Sequence, residues 1–299
     1  MENINSQLTI IVTTYNSSAM IKSCLDNIDT KVFEVIIVDN ASTDNTLALV
    51  KQHYPHLQII HNSQNLGFSR ANNIALRNTK KDFALILNVD ARISTADITT
   101  TLKIMAQHSN IAIAGNVVYN CIIENNQIIS SQPCPKNQEQ LKGANNDKFF
   151  INKFITGAGM FLNMKIMRKI GFFDEGFFLY CEDNEICKRA IKKGYKTAII
   201  KDTRLIHVGG SSSNISASER EKIYWHRFGW SKLYYTQKIY GRIVARIKAL
   251  RMIGKFATLI LKQKIIDHQV AIKDYQALKG CLAFFIGIGA FDKNNQPRG

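Results

Sequence analysis

Val35-Ile-Ile-Val-Asp-Asn-Ala-Ser-Thr-Asp-Asn-Thr46 is a branched apolar run that stops at a carboxylate and passes into a string of helix-capping residues. A short unbroken run of Val and Ile reads as a strand buried on both faces. Ser42-Thr-Asp44 then offers side-chain oxygens to the free amides of a helix start, and the helix is predicted to run to His53. The same alternation recurs on either side. Leu8 to Val12 reads as a buried strand and Ser17 to Ile28 has helical spacing; the quoted strand extends from Val32 to Val38. Leu57 to Ile60 is a further strand, Ser69 to Arg77 a helix, and Phe83 to Leu87 a strand that ends at Asn88-Val-Asp90. This order predicts an α/β fold, a Rossmann-like, mostly parallel sheet flanked by helices. Ligands of such sheets bind at the carboxyl ends of the strands. Three polar clusters fall there: Thr13-Thr-Tyr-Asn16, Asp39-Asn40 and Asn88-Val-Asp90.

Further along, residues 120–150 are polar, with Pro133 and Pro135, and read as a loop or hairpin insertion. Ile155 to Leu162, with Gly157 and Gly159, reads as a strand that another chain segment approaches closely. Leu179 to Lys193 reads as a helix with acids at its start and Lys192-Lys-Gly194 at its end, as the helix dipole and a glycine C-cap favour. Lys196 to Ile200 is a last strand, and His207-Val-Gly-Gly-Ser211 follows in a loop.

The chain has 299 residues, enough for one large domain with an appendage, and its 45% hydrophobic and 21% charged content excludes global disorder. Cys24, Cys121, Cys134, Cys181, Cys187 and Cys281 show no metal-type spacing and fit buried thiols in a reducing cytoplasm. No signal peptide is read at the N-terminus. The longest apolar run, Cys281 to Phe291, falls short of the roughly 20 residues of a membrane span.

The charge of +16 is unevenly placed: from Ser216 onward there are sixteen Lys/Arg against five Asp/Glu. Residues 1–215 are therefore expected to form one α/β domain and 216–299 a basic, amphipathic helical extension. Between Arg242 and Lys264 the period predicts one apolar face (Ile243, Ile247, Leu250, Ile253, Phe256, Ala257, Ile260, Leu261), with Lys248, Arg251, Lys255 and Lys262 opposite and Arg246 breaking the stripe. Such a helix suits an anionic membrane surface, or packing on the α/β domain, or a homodimer interface. No motif supports nucleic-acid binding. The segment Tyr224-Trp-His-Arg227 and Trp230 to Tyr235 mixes aromatic and basic residues, as an acceptor site, an interface or a core would.

Val12-Thr-Thr-Tyr-Asn-Ser17, the stretch Val35 to Thr46, Asn65-Leu-Gly-Phe-Ser-Arg-Ala-Asn-Asn73 and Leu87-Asn-Val-Asp90 together resemble glycosyltransferase family 2. Gly171-Phe-Phe-Asp-Glu-Gly-Phe-Phe-Leu-Tyr-Cys-Glu-Asp-Asn-Glu-Ile-Cys187 resembles that family's rhamnosyltransferase-like branch. The likeness covers roughly residues 8–212, and five strings in the right order are far more specific than any one. It implies a GT-A fold, a nucleotide-diphosphate sugar donor, Mg²⁺ or Mn²⁺, and inversion at the anomeric carbon.

Carried residue by residue, the resemblance gives Asp39 the N3–H of uracil or thymine, and Thr13, Tyr15 and Asn16 the nucleoside. A strand-end turn is the alternative for these positions. Asp90 becomes the metal ligand of a DxD-type motif in which Asn88 replaces the first acid, or else a cap for the next helix. His207 becomes a further metal ligand or a structural histidine. Arg70 becomes a phosphate partner or a surface ion pair. Asp183 becomes the base that takes the acceptor proton, with Glu182 positioning the acceptor or sharing the role; as helix-dipole partners both acids would be structural. Glu185, further along, reads as structural.

The expectation is a metal-dependent transferase that moves a sugar from a UDP- or dTDP-sugar to a saccharide or lipid-linked saccharide. Its expected setting is surface-polysaccharide or O-antigen synthesis, peripheral at the cytoplasmic membrane face. A nucleotidyltransferase would need a glycine-rich basic loop after the first strand, which the sequence lacks. A non-catalytic nucleotide-sugar scaffold would have no use for Glu182-Asp183.

Overall fold

The computed structural model describes residues 4–124, 127–133, 148–208, 216–266 and 270–298. In chain order the strands are β1 (Leu8–Thr14), β2 (Glu34–Asp39), β3 (Gln58–His61), β4 (Phe83–Asn88), β5 (Ala91–Arg92), β6 (Ile111–Glu124), β7 (Gln127–Pro133), β8 (Phe149–Ile151), β9 (Gly159–Asn163) and β10 (Lys196–His207). The helices are α1 (Ile21–Leu25), α2 (Thr46–His53), α3 (Gly67–Asn78), α4 (Thr95–Gln107), α5 (Met164–Ile170), α6 (Glu182–Lys192), α7 (Ala217–Tyr224), α8 (Ser231–Tyr240), α9 (Arg242–Ile266) and α10 (Ile272–Phe285), with a π-helix over Trp225–Trp230. The chain divides into two compact units.

The first unit comprises Met1–Asn65, Ala71–Phe172 and Ile186–Ser211 and carries the sheet. The strand order is β3-β2-β1-β4-β9-β6-β10-β5, with β7 on β6 and β8 on β10. β3, β2, β1 and β4 run parallel, as does the β6–β10 pair, while β9 runs antiparallel between them. The architecture is α/β, a mostly parallel sheet flanked by helices. Leu8, Ile10, Ile11, Val12, Ile36, Ile37, Leu85 and Ile86 are almost wholly buried, which is what an apolar run on a two-sided parallel sheet requires. Register decides where the polar clusters sit. Thr14 lies opposite Asp39, Thr13 opposite Asn88, and Asp39 opposite His61, so the strand ends are level at one edge.

Several boundaries differ from the sequence expectation. α1 is one short turn set rather than a helix from Ser17, because the Ser17 amide donates to Thr46 Oγ1 at 2.7 Å and the Ser18 amide to Asp44 Oδ2 at 3.0 Å. β10 continues seven residues beyond Ile200: its pairing shifts register between Ile200 and Arg204, with Asp202 at φ 56°, and the strand then resumes. The close approach expected near Gly159 is real, since a Cβ there would lie 2.7 Å from the Leu205 side chain. α6 begins at Glu182 rather than Leu179, because Tyr180 and Cys181 hold φ of 70° and 72° and break the helix. The polar insertion starts as the β6–β7 hairpin; residues 134–147 lie outside the described residues, as do Gly209 to Ser211.

The second unit gathers Leu66–Arg70, Phe173–Glu185 and Ser212–Gly299. Ser216 and Glu219 form a reciprocal capping box that starts α7. Trp225, Trp230, Leu233, Ala245, Ala249, Phe256, Ala277, Cys281 and Phe284 make its core. The π-helix meets α10 at glycines: a Cβ on Gly280 would lie 2.6 Å from the Trp225 carbonyl, and one on Gly229 2.7 Å from that of Ala277. The aromatic segment therefore packs as core here.

The helix read as having one apolar face has two. Ala245, Ala249 and Phe256 of α9 are buried, while Ile243, Ile247, Leu250, Leu261 and Ile265 are exposed. Met252 and Ile253 are half-buried. Small residues let the inner face approach its neighbours, so the larger aliphatics at 243, 247 and 250 are left outside.

Cys24, Cys181, Cys187 and Cys281 are free thiols, three of them buried; the side chains of Cys121 and Cys134 lie outside the described residues. Among the described residues no helix is long and apolar enough to cross a membrane.

Candidate functional site

At the level edge of the first unit, Asp39 is wholly buried. Its Oδ1 accepts from Thr14 Oγ1 at 3.0 Å, and its Oδ2 accepts from the Ser42 amide at 3.0 Å and His61 Nδ1 at 2.9 Å. A buried carboxylate needs such partners. The His61 side chain is 55% exposed and is the outermost of the three. Asn16, at φ 47°, pins the following loop: its Oδ1 accepts from the Thr43 amide at 2.8 Å and its own amide donates to Ser42 Oγ at 2.9 Å. Thr13 Oγ1 donates to Asn72 Oδ1 at 3.0 Å, and Tyr15, two residues on, is exposed.

Asn88 closes β4, where its amide donates to the Ala158 carbonyl at 3.0 Å. Three residues on, β5 pairs antiparallel with β10, His207 opposite Ala91, and the Val208 amide donates to the Asp90 carbonyl at 3.0 Å. This pairing brings His207 Nε2 to 3.4 Å from Asp90 Oδ1. Burial pushes the Asp90 carboxyl up, but the hydrogen bond and charge of His207, with nearby Arg92, carry it below its ordinary value. An ionised carboxylate and an imidazole on a partly open edge fit a hard divalent cation such as Mg²⁺ or Mn²⁺. No cluster of three His, Cys, Asp or Glu side chains occurs among the described residues, so the two would hold such an ion only with help from other oxygens.

Arg92 is a supporting residue that the sequence did not single out. It is buried, its Nη1 donates to the Val89 and Ala91 carbonyls at 3.0 and 2.8 Å, and its Nη2 donates to Ser23 Oγ. It thereby fixes the turn that carries Asp90. Bonds from a side chain to backbone carbonyls leave no motif in a sequence.

Glu182 and Asp183 belong to the second unit, at the first turn of α6. The Glu182 side chain is buried and its Oε2 has no hydrogen-bond partner among the described residues. Burial, and then the adjacent Asp183 charge, push its carboxyl well above the usual range. Asp183 is half-buried, and its Oδ1 accepts from the Asn184 amide at 2.8 Å and from Asn184 Nδ2 at 3.0 Å. The loop before them is clamped within the same unit. Ser231 Oγ donates to the Leu179 carbonyl at 2.8 Å, the Phe68 amide donates to the Phe178 carbonyl at 2.9 Å, and the Arg227 guanidinium lies over the Tyr180 ring. Phe178 packs on the buried His226 ring, whose pKa burial pushes down to about 3. A left-handed non-glycine residue costs about 1–3 kcal/mol, so two in succession need this clamp.

Arg70 is also in the second unit, with its guanidinium engaged. Nε donates to the Glu175 carbonyl at 3.2 Å, Nη1 donates to Asn295 Oδ1 at 2.9 Å, and the group stacks 3.6 Å over the Phe291 ring. Its partners in this structure are thus a loop and the chain's last segment.

Residues 9–171 match the family described as "Glycosyl transferase family 2", and residues 144–284 match "Glycosyl transferase family group 2". A teichoic acid poly(glycerol phosphate) polymerase of Staphylococcus epidermidis is 33% identical over 105 residues, which is 33% of this chain and 15% of that protein's length. The rhamnosyltransferase WbbL of Escherichia coli is 24% identical over 219 residues, 66% of this chain and 82% of that one. Among solved structures, a mannosyltransferase of Pyrobaculum calidifontis in complex with GDP-Man and Mn²⁺ superposes with a TM-score of 0.55 at 17% identity, covering 93% of this chain and 73% of the other.

Proposed function

The chain belongs to glycosyl transferase family 2, and we propose on that premise that it transfers a sugar from a UDP- or dTDP-sugar to a hydroxyl of a saccharide or lipid-linked saccharide. The observation that carries the reading is the Asp90–His207 pair, set by β5–β10 pairing at the carboxyl end of β4. Asp90 and His207 would hold Mg²⁺ or Mn²⁺, which when bound neutralises the charge that collects on a departing diphosphate. Asn88 lies two residues before Asp90 and would offer such an ion a neutral oxygen rather than a second charge.

Asp39 accepts the N3–H of uracil or thymine, which requires His61 to give way, and Thr13, Tyr15 and Asn16 hold the nucleoside. Asp183 takes the proton of the acceptor hydroxyl as its oxygen forms the new bond to the anomeric carbon. The old bond to the diphosphate oxygen breaks with its electrons staying on the diphosphate, and attack from the face opposite that oxygen inverts the configuration. Glu182, kept protonated by burial, donates a hydrogen bond without competing as a base. Arg70 meets a phosphate only by leaving Asn295 and Phe291. Residues 1–215 hold the donor machinery in this reading, 216–299 support the loop that carries the acids, and the setting is cell-surface glycan synthesis. WbbL's name favours a deoxyhexose donor for that protein, and we extend the same class to this one.

Donor hydrolysis across UDP-, dTDP- and GDP-sugars, with Mn²⁺, Mg²⁺ or chelator, tests the reading. Release of one nucleoside diphosphate that chelator abolishes is expected. No turnover and no thermal shift with any nucleotide would remove the enzyme reading.

A further inference from the structure

α9 exposes a stripe that its own fold leaves uncovered. Ile243 is 77% exposed, Leu250 54%, Leu261 59% and Ile265 75%, and Ile247 lies among them. Their steps of three and four residues, and of eleven (two fours and a three) from Leu250 to Leu261, place them on one helical face, with Gly254 and Ala257 bridging the middle. Ala245, Ala249 and Phe256 occupy the opposite, buried face. Between the two faces run the cations. By the 3.6-residue period, Arg251, Lys255 and Lys262 fall along one edge of the stripe and Arg242, Arg246 and Lys264 along the other. All six are exposed. Lys248, the remaining cation of the helix, is turned inward and donates to Thr236 Oγ1 at 2.8 Å. The helix holds no Asp or Glu.

We propose that α9 is an interfacial helix that seats this protein on an anionic bilayer. Its exposed aliphatics enter the boundary between headgroups and acyl chains, and the two rows of cations meet lipid phosphates on either side. Charge decides between occupants. A second copy on the same face would set six cations against six, with no acid in either helix to pair them. Nucleic acid would satisfy the cations but press polar phosphates on an aliphatic stripe. An anionic bilayer alone matches both: an apolar interior under the stripe and negative headgroups under its edges. Arg242 and Arg246 also line a cavity of about 320 Å³ with Trp230, Tyr234 and Phe284, room enough for one headgroup. The proposal does not depend on the transfer chemistry.

The test is sedimentation of the full chain with vesicles of phosphatidylcholine, or of phosphatidylcholine with equimolar phosphatidylglycerol. Binding to the mixed vesicles alone is expected, weakening as salt shortens the screening length. Leu250→Glu with Leu261→Glu should lower the bound fraction at least tenfold, and Lys255→Gln with Lys262→Gln should lower it and flatten the salt dependence. Both pairs are exposed, so unchanged thermal melts will certify the fold. Equal recovery in the supernatant with both vesicle types would overturn the proposal. So would a concentration-dependent dimer in light scattering that the two Glu substitutions dissolve.

Discussion

His207 Nε2 lies 3.4 Å from Asp90 Oδ1 because β10, after its bulge, reaches far enough to pair with the two-residue strand that follows Asp90. A backbone device thus sets a side-chain pair. Asp90→Asn should cut metal-dependent turnover by about 100-fold or more, since it removes the charge that holds the cation. His207→Ala should raise the Mn²⁺ concentration needed for half-maximal turnover and leave the saturated rate less affected. Metal titration of donor hydrolysis measures both. Equal turnover by Asp90→Asn at every Mn²⁺ concentration would remove Asp90 from the metal side.

Asp39 should be required for stability as well as for the base. Asp39→Asn keeps one acceptor but presents an amide to the Ser42 N–H and His61, at a cost of roughly 2–3 kcal/mol for a buried charged acceptor. Thermal melts should fall by several degrees, and UDP should no longer raise the melting temperature. His61→Ala removes the outermost partner, and by isothermal titration it should bind UDP or dTDP at least as tightly as the parent.

Glu182 predicts a pH dependence of stability. Its folded carboxyl is raised to about 8, while the unfolded chain ionises near the ordinary value of 4.5. Its contribution is therefore fully present below 4.5 and declines as pH rises toward 8, by up to roughly 1.4 kcal/mol per pH unit. Glu182→Gln never ionises. The melting temperature of that variant relative to the parent should rise steadily between pH 5 and 8, and a flat difference would contradict the buried, uncompensated acid.

Ser231 predicts a local effect on chemistry. Ser231→Ala leaves the Leu179 carbonyl without its donor, a loss of about 1–3 kcal/mol concentrated at the left-handed pair Tyr180–Cys181. The turnover number should drop while donor KM stays near the parent value, and Ser231→Thr should restore part of the rate.

The features legible in sequence are those with a local cause. Apolar runs at β1, β2 and β4 declared buried strands, and their polar ends declared the binding edge. The extent of α1 was not legible, because Thr46 and Asp44 capture the Ser17 and Ser18 amides from a distance. The two faces of α9 share one hydrophobic alphabet; only packing against Trp225, Trp230 and Phe284 separates Ala249 from Leu250. Nor does sequence order reveal that residues 66–70 and 173–185 join the C-terminal helices in one compact unit. Arg92 and Ser231 act through backbone carbonyls, which any residue can supply.

Asp183→Asn tests most directly whether Asp183 takes the acceptor proton. With donor, metal and acceptor supplied, the variant should bind the nucleoside diphosphate as the parent does and lose transfer by about 1,000-fold or more. Transfer at the parent rate would contradict the account.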